Sequence, residues 1–209
     1  MNPAFPLRNR FRESTRDVIL DAAAVAFNTG GAGALRMEDI AAGAGIAVGT
    51  LYNYFRDRQA LVAALLQTRT QGLLDALDAA ADASSSPGSQ SAEGVSRELH
   101  QFVAILVTHW EANRVLLTLM IEDLLQRGAD ATAVNREHTV ATQLFARAQK
   151  LMARGIETGA LRPADTGAYA AMLLGMVRGV VSTALVRGEA GFAYQSPEIV
   201  RVFLHGAAV

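Results

Sequence analysis

Residues Gly49–Phe55 read GTLYNYF, an uncharged run with two tyrosines and a phenylalanine, set between AGIAV and RDRQALVAALL. On a helical wheel at about 100° per residue, Leu51, Phe55, Ala47 and Tyr54 gather on one side. Tyr52, Gly49, Asn53 and Thr50 gather on the other, an outward side with no long aliphatic side chain. That side suits a groove. Thr50 and Asn53 can hydrogen-bond base edges or touch a thymine methyl. Gly49 lets backbone approach closely. Tyr52 can reach a phosphate with its hydroxyl while its ring packs. The same side is also readable as a polar surface with no partner.

The flanking residues predict what carries this helix. Met37–Ala44 predicts a short helix with Ile40 and Ala41 inward, Gly45 makes the turn, and Ala47–Phe55 follows. A longer helix precedes them, starting near Ser14, where Ser14–Asp17 resembles a capping box with a shorter acid. Ile19, Ala22, Ala23, Ala26 and Phe27 then recur at helical spacing, and Gly30 and Gly31 stop the helix. Two short helices joined by a glycine turn, after a longer one, form a helix-turn-helix. Such a unit puts its second short helix into a DNA major groove. Residues 1–16 carry Arg8, Arg10, Arg12 and Arg16 against Glu13 alone, four to one, net +3. Such an arm tracks phosphates or enters a minor groove; the alternative is a solvated, disordered tail.

The rest also reads helical, rich in alanine and leucine and without β-branched alternation. Arg58–Ala83 predicts a long fourth helix, and the polar stretch Ser84–Gly94 a loop. Further helices are expected at 95–111, 113–127, 132–158, 165–188 and 196–207, the last opened by Ser196 as N-cap and Pro197. The expected fold is all-α. With 51% apolar residues in 209, the chain can bury a real core; with net charge −1, charge alone points to no polyanion. The absence of cysteine excludes thiol catalysis and thiolate metal sites. The N-terminus has no apolar stretch of the secretory kind, so a cytoplasmic protein is expected. Ala168–Val186 is long and apolar, but Arg178 near its middle is costly in lipid, so it reads as a buried, interface-forming helix rather than a membrane span.

Phe27, the pair Ile40-Ala41, AGIAVGTLYNYF and RDRQALVAALL together resemble the N-terminal domain of TetR-family (tetracycline-repressor-like) transcriptional regulators, over about 50 residues from Ile19 to Leu66. The remainder matches the family in layout alone. The resemblance implies a helix-turn-helix domain over residues 1–57 (1–12 being the basic arm) and a larger helical effector-binding and dimerisation domain over 58–209. It implies a homodimer on a palindromic double-stranded DNA operator and a small-molecule effector. Carried over by position, its recognition-helix contacts fall on Ala47, Val48, Gly49, Thr50, Tyr52, Asn53 and Tyr54, and its phosphate contacts on Arg36, Met37 and Arg58. Three positions depart from the family pattern. Arg36 and Ala47 stand where capping threonine and serine are common, and Val48 stands where a polar residue often reaches DNA.

In the larger domain, Ala171, Gly175, Gly179 and Thr183 put small residues four apart on one helix face. Glycine inside a helix costs about 1 kcal/mol against alanine, which suggests close backbone approach there. The family's dimer interface maps to Gly175, Gly179, Thr183, Ile199, Val202 and Phe203. Phe102, His109, Trp110, Met120, Phe145, Tyr169, Met172 and Met176 are candidate ligand-pocket liners, equally readable as core. His100 and His109 are nine apart, which supports no metal site on one helix. No serine–histidine–acid setting suggests catalysis. The expected protein is a ligand-released repressor, not an enzyme, with no cofactor and no membrane. The rival readings are an α-helical enzyme and a protein-interaction module.

Overall fold

The computed structural model describes residues 4–30, 36–83, 91–114 and 140–207, with the side chains of 4–10, 28–30 and 207 outside that set. Among the described residues every regular element is helical. In order they are α1 (Ala4–Gly30), α2 (Met37–Gly43), α3 (Val48–Tyr54), α4 (Arg58–Ala83), α5 (Ala92–Ala112), α6 (Val140–Glu157), α7 (Thr166–Val186), a 3-10 turn (Phe192–Gln195) and α8 (Ser196–Ala207). The helix expected at 113–127, and the start of that expected at 132–158, lie outside the described residues. The chain divides into two compact units, one reaching Arg69 and the other beginning at Thr70.

The first unit is built on one apolar cluster. Ile19, Leu20, Ala23 and Phe27 of α1 meet Met37, Ile40 and Ala41 of α2, Leu51 and Phe55 at α3, and Leu61, Ala64 and Leu65 of α4. The unit therefore takes in the first turns of α4, beyond the 1–57 span. Its N-terminus differs from the sequence reading. The helix starts at Ala4 rather than near Ser14, so the basic arm is helical. Thr15 spends its hydroxyl on the Phe11 carbonyl, four residues back, at 2.8 Å. That bond belongs to a helix interior, so Ser14–Asp17 caps nothing. Pro6 is tolerated because a first-turn N–H has no intrahelical acceptor to lose.

In the second unit α6 lies along α7, and α5 contacts α6, α7 and α8. Leu99, Val103, Leu106, Met152, Leu173, Val177, Phe192 and Val200 form its interior. Glu98, buried on α5, is paired by Arg154 of α6. Asp165 caps α7 by accepting the Ala168 N–H at 2.6 Å. Ser196 is not the expected cap. Its dihedrals are helical (φ −57°, ψ −41°), because the 3-10 turn leads straight into α8. The N-terminal end of that turn is held instead by Glu111 of α5, which accepts the Ala193 N–H at 2.9 Å. α7 is long and apolar enough to cross a membrane by length and composition, and only 28% of its most apolar window is buried within the chain.

Candidate nucleic-acid interface

α2 and α3 are too short to persist alone, so the cluster beneath them sets their orientation. The turn between them needs one residue at positive φ, and Gly45 supplies it at 67°. Its N–H donates to the Ala42 carbonyl at 3.1 Å, and that of Ile46 to Ala41 at 3.0 Å, which closes the end of α2. Ala47 then adopts an extended conformation (φ −68°, ψ 144°), and its carbonyl accepts the first bonds of α3 from Thr50 and Leu51, at 2.9 and 3.2 Å.

Leu51 is fully buried and Phe55 nearly so, which pins α3 by one side. Gly49, Tyr52 and Asn53 are exposed, and Thr50 is half-exposed. Ala47 departs from the wheel. The wheel turned it inward, but it precedes the first helical residue and is exposed. Val48 and Tyr54 both pack partly against the core, which leaves Val48 little apolar surface to offer a base. A β-carbon on Gly49 meets nothing within 4 Å, so the backbone there is open to approach.

The flanking candidates divide. Arg36 is exposed at the start of α2 and makes no side-chain cap. Met37 is 7% exposed and belongs to the core, so of this pair Arg36 alone presents a side chain to solvent. Arg58 is exposed in the first turn of α4, which Asp57 caps by accepting the Ala60 N–H at 2.7 Å. Two contacts were not legible in the spacing of residues. The guanidinium carbon of Arg12 lies 5.9 Å from the centre of the Tyr54 ring, and that of Arg16 lies 5.5 Å from that of Phe55.

A long helix, two short ones about a left-handed glycine, and a polar face on the second short one are the parts of a helix-turn-helix. The model of the bacterial regulatory proteins of the tetR family matches residues 19–65. Residues 19–65 therefore form a TetR-family domain. Solved structures carry the likeness over the remaining length, as fold. A TetR transcription regulator from Haloarcula marismortui has 15% identity and a TM-score of 0.75, covering 94% of this chain and 100% of its own. FadR from Bacillus subtilis, solved with stearoyl-CoA, has 17% identity and a TM-score of 0.66, covering 90% and 97%. SmeT, solved with triclosan, has 22% identity and a TM-score of 0.64, covering 94% and 92%. Among curated proteins none matches the sequence.

The second unit of the chain holds an open groove of about 350 Å³ between α4 and α5, lined by Gly72, Leu73, Ala76, Ala104, Ile105, Thr108 and His109. His109 is the one ligand candidate among these residues. Phe102 is buried, Trp110 and Met176 are half-buried, and Phe145 reaches the start of α7 near Gly167. Tyr169 packs edge-to-face on Phe203, with ring centres 5.9 Å apart. Met172 is 59% exposed on the outer side of α7, and Met120 lies outside the described residues. The dimer candidates divide as well. Gly175, Gly179, Thr183 and Val202 are exposed, whereas Ile199 and Phe203 are buried in the chain's own core. Among the described residues no three histidine, aspartate or glutamate side chains cluster as a metal site would require.

Proposed function

We propose that this chain is a cytoplasmic, non-enzymatic, one-component transcriptional repressor that binds a palindromic operator as a homodimer and leaves it when a small molecule binds the larger domain. The observation that carries this reading is the face of α3. Leu51 and Phe55 anchor it, and Gly49, Tyr52 and Asn53 stand exposed with Thr50 half-exposed. Base contacts by Thr50 and Asn53, and phosphate contacts by Tyr52, Arg36 and Arg58, follow from that placement.

The dimer reading rests on α7. Its small-residue face (Ala171, Gly175, Gly179 and Thr183) is exposed, and a β-carbon on either glycine meets nothing within 4 Å. Packing within one chain therefore leaves these glycines unexplained, and a second copy of α7 supplies the close approach they permit. Val202 adds apolar surface from α8. Two recognition helices must then span about 34–36 Å to enter successive major grooves.

The effector reading rests on the α4–α5 groove, which is apolar apart from Thr108 and His109. The complexes of FadR with stearoyl-CoA and of SmeT with triclosan show similar folds holding ligands with an apolar part, an acyl chain in one and an aromatic compound in the other. An effector acts only through its different affinity for the DNA-competent and released states, with a coupling of about 1–3 kcal/mol. The test is a gel shift of the full-length protein on DNA upstream of its own gene. Tyr52→Ala and Asn53→Ala should each abolish the specific shift. Full retention in both variants sinks the reading face.

A further inference from the structure

We propose that the N-terminal turns of α1 are a second DNA-contacting element, a rigid phosphate clamp seated on the recognition helix. The inference rests on the DNA-binding reading of α3 and adds a surface that the family match, which begins at residue 19, does not reach. Arg12 lies over the Tyr54 ring and Arg16 over the Phe55 ring, both at the C-terminal end of α3. A guanidinium on a ring face keeps its N–H donors at its edge, where phosphate oxygens can meet them in a bidentate way. Among the described residues no carboxylate forms an ion pair with either arginine.

Helical register extends the row. Arg8 lies one turn before Arg12 on the same side of α1, about 6 Å further along the axis. Glu13 and Asp17 fall outside that row, and Arg10 falls opposite it. Register thus puts these arginine positions along one line of α1 that begins beside the end of α3. Helical backbone also decides how DNA is met. A helix is about 10–12 Å across, too wide for a minor groove of about 6 Å. The clamp therefore grips phosphates flanking the half-site and adds affinity without reading sequence.

The test is fluorescence anisotropy of full-length protein on a mixed-sequence duplex, titrated over a range of potassium chloride. Each lost phosphate contact removes about 0.9 from the slope of log affinity against log salt. The Arg8→Gln/Arg12→Gln variant should therefore flatten the slope by about 1.8 for each subunit engaged, so that per engaged subunit its loss of affinity between ~50 and ~200 mM salt is about tenfold smaller than the parent's. Arg8→Lys/Arg12→Lys keeps the charge and should restore the slope even if loss of the Tyr54 stack lowers the melting temperature. A glutamine variant with the parental slope overturns the clamp. If Tyr52→Ala and Asn53→Ala still lose the specific shift in that case, the reading of α3 survives. A parent protein that binds no duplex removes both.

Discussion

Arg147 on α6 grips Asp78 on α4 with two parallel hydrogen bonds, Nε to one carboxylate oxygen at 2.8 Å and Nη2 to the other at 2.6 Å. The bonds hold the Asp78 carboxyl below its ordinary value of 3.8 and raise the Arg147 guanidinium further. Asp78 is ionised more readily in the fold than in the unfolded chain. Its contribution is therefore fully present above 3.8 and is lost as pH falls through the lowered folded value. The Asp78 side chain is 56% exposed, so the pair contributes about 0.5–1 kcal/mol. Asp78→Asn should lower the neutral-pH unfolding free energy by that amount. The gap from the parent should close as melts are repeated in acid; a gap that is constant with pH refutes this origin.

α3 begins without a side-chain cap, because Ala47 has cap dihedrals and no oxygen to offer. Ala47→Ser places a hydroxyl near the N–H groups of Gly49 and Thr50. It should raise stability by about 0.5–1 kcal/mol. Chemical denaturation of the full-length protein measures this, and a neutral or negative effect argues that the cap geometry is not available.

Leu51 and Tyr52 are neighbours with opposite duties. Leu51→Ala opens a cavity beneath α3 and should cost about 2–5 kcal/mol. Tyr52, 47% exposed, should cost under about 1 kcal/mol when cut to alanine. Paired melting and gel-shift measurements should separate them, with stability lost in the first and DNA affinity in the second.

Glu98 is 7% exposed and relies on Arg154. Arg154→Ala strands a buried carboxylate and should cost about 2–4 kcal/mol, below the cost for fully buried pairs because the Arg154 side chain is 41% exposed. Glu98→Leu/Arg154→Leu should recover most of the loss. If the double variant is no more stable than Arg154→Ala, the cost lies elsewhere than in the stranded charge.

Gly179→Leu puts a long side chain where a β-carbon meets nothing in the single chain. It should leave the monomer's fold intact by circular dichroism and reduce the dimer fraction in sedimentation velocity. A dimer of parental strength places the interface away from this face.

Local chemistry was enough for much of this chain. The helical type of each described α-helix, the glycine turn at Gly45, and the division of α3 into Leu51 and Phe55 inside with Gly49, Tyr52 and Asn53 outside all follow from periodicity and steric rules acting over a few residues. Other features depended on which element covers which. Sequence cannot tell an interior Ser–Thr–Arg–Asp run from a cap, because the deciding bond is whether Thr15 meets the Phe11 carbonyl. It marks Met37, Ile199 and Phe203 as apolar or contact residues, but only the neighbours packed on them turn all three inward. It offers eight pocket candidates, and among the seven that are described His109 alone lines the α4–α5 groove, since a groove belongs to two helices at once. The seating of Arg12 and Arg16 on the rings of Tyr54 and Phe55 joins residues about forty positions apart. Periodicity states which face of a helix is apolar or charged; only packing in three dimensions assigns that face its partner.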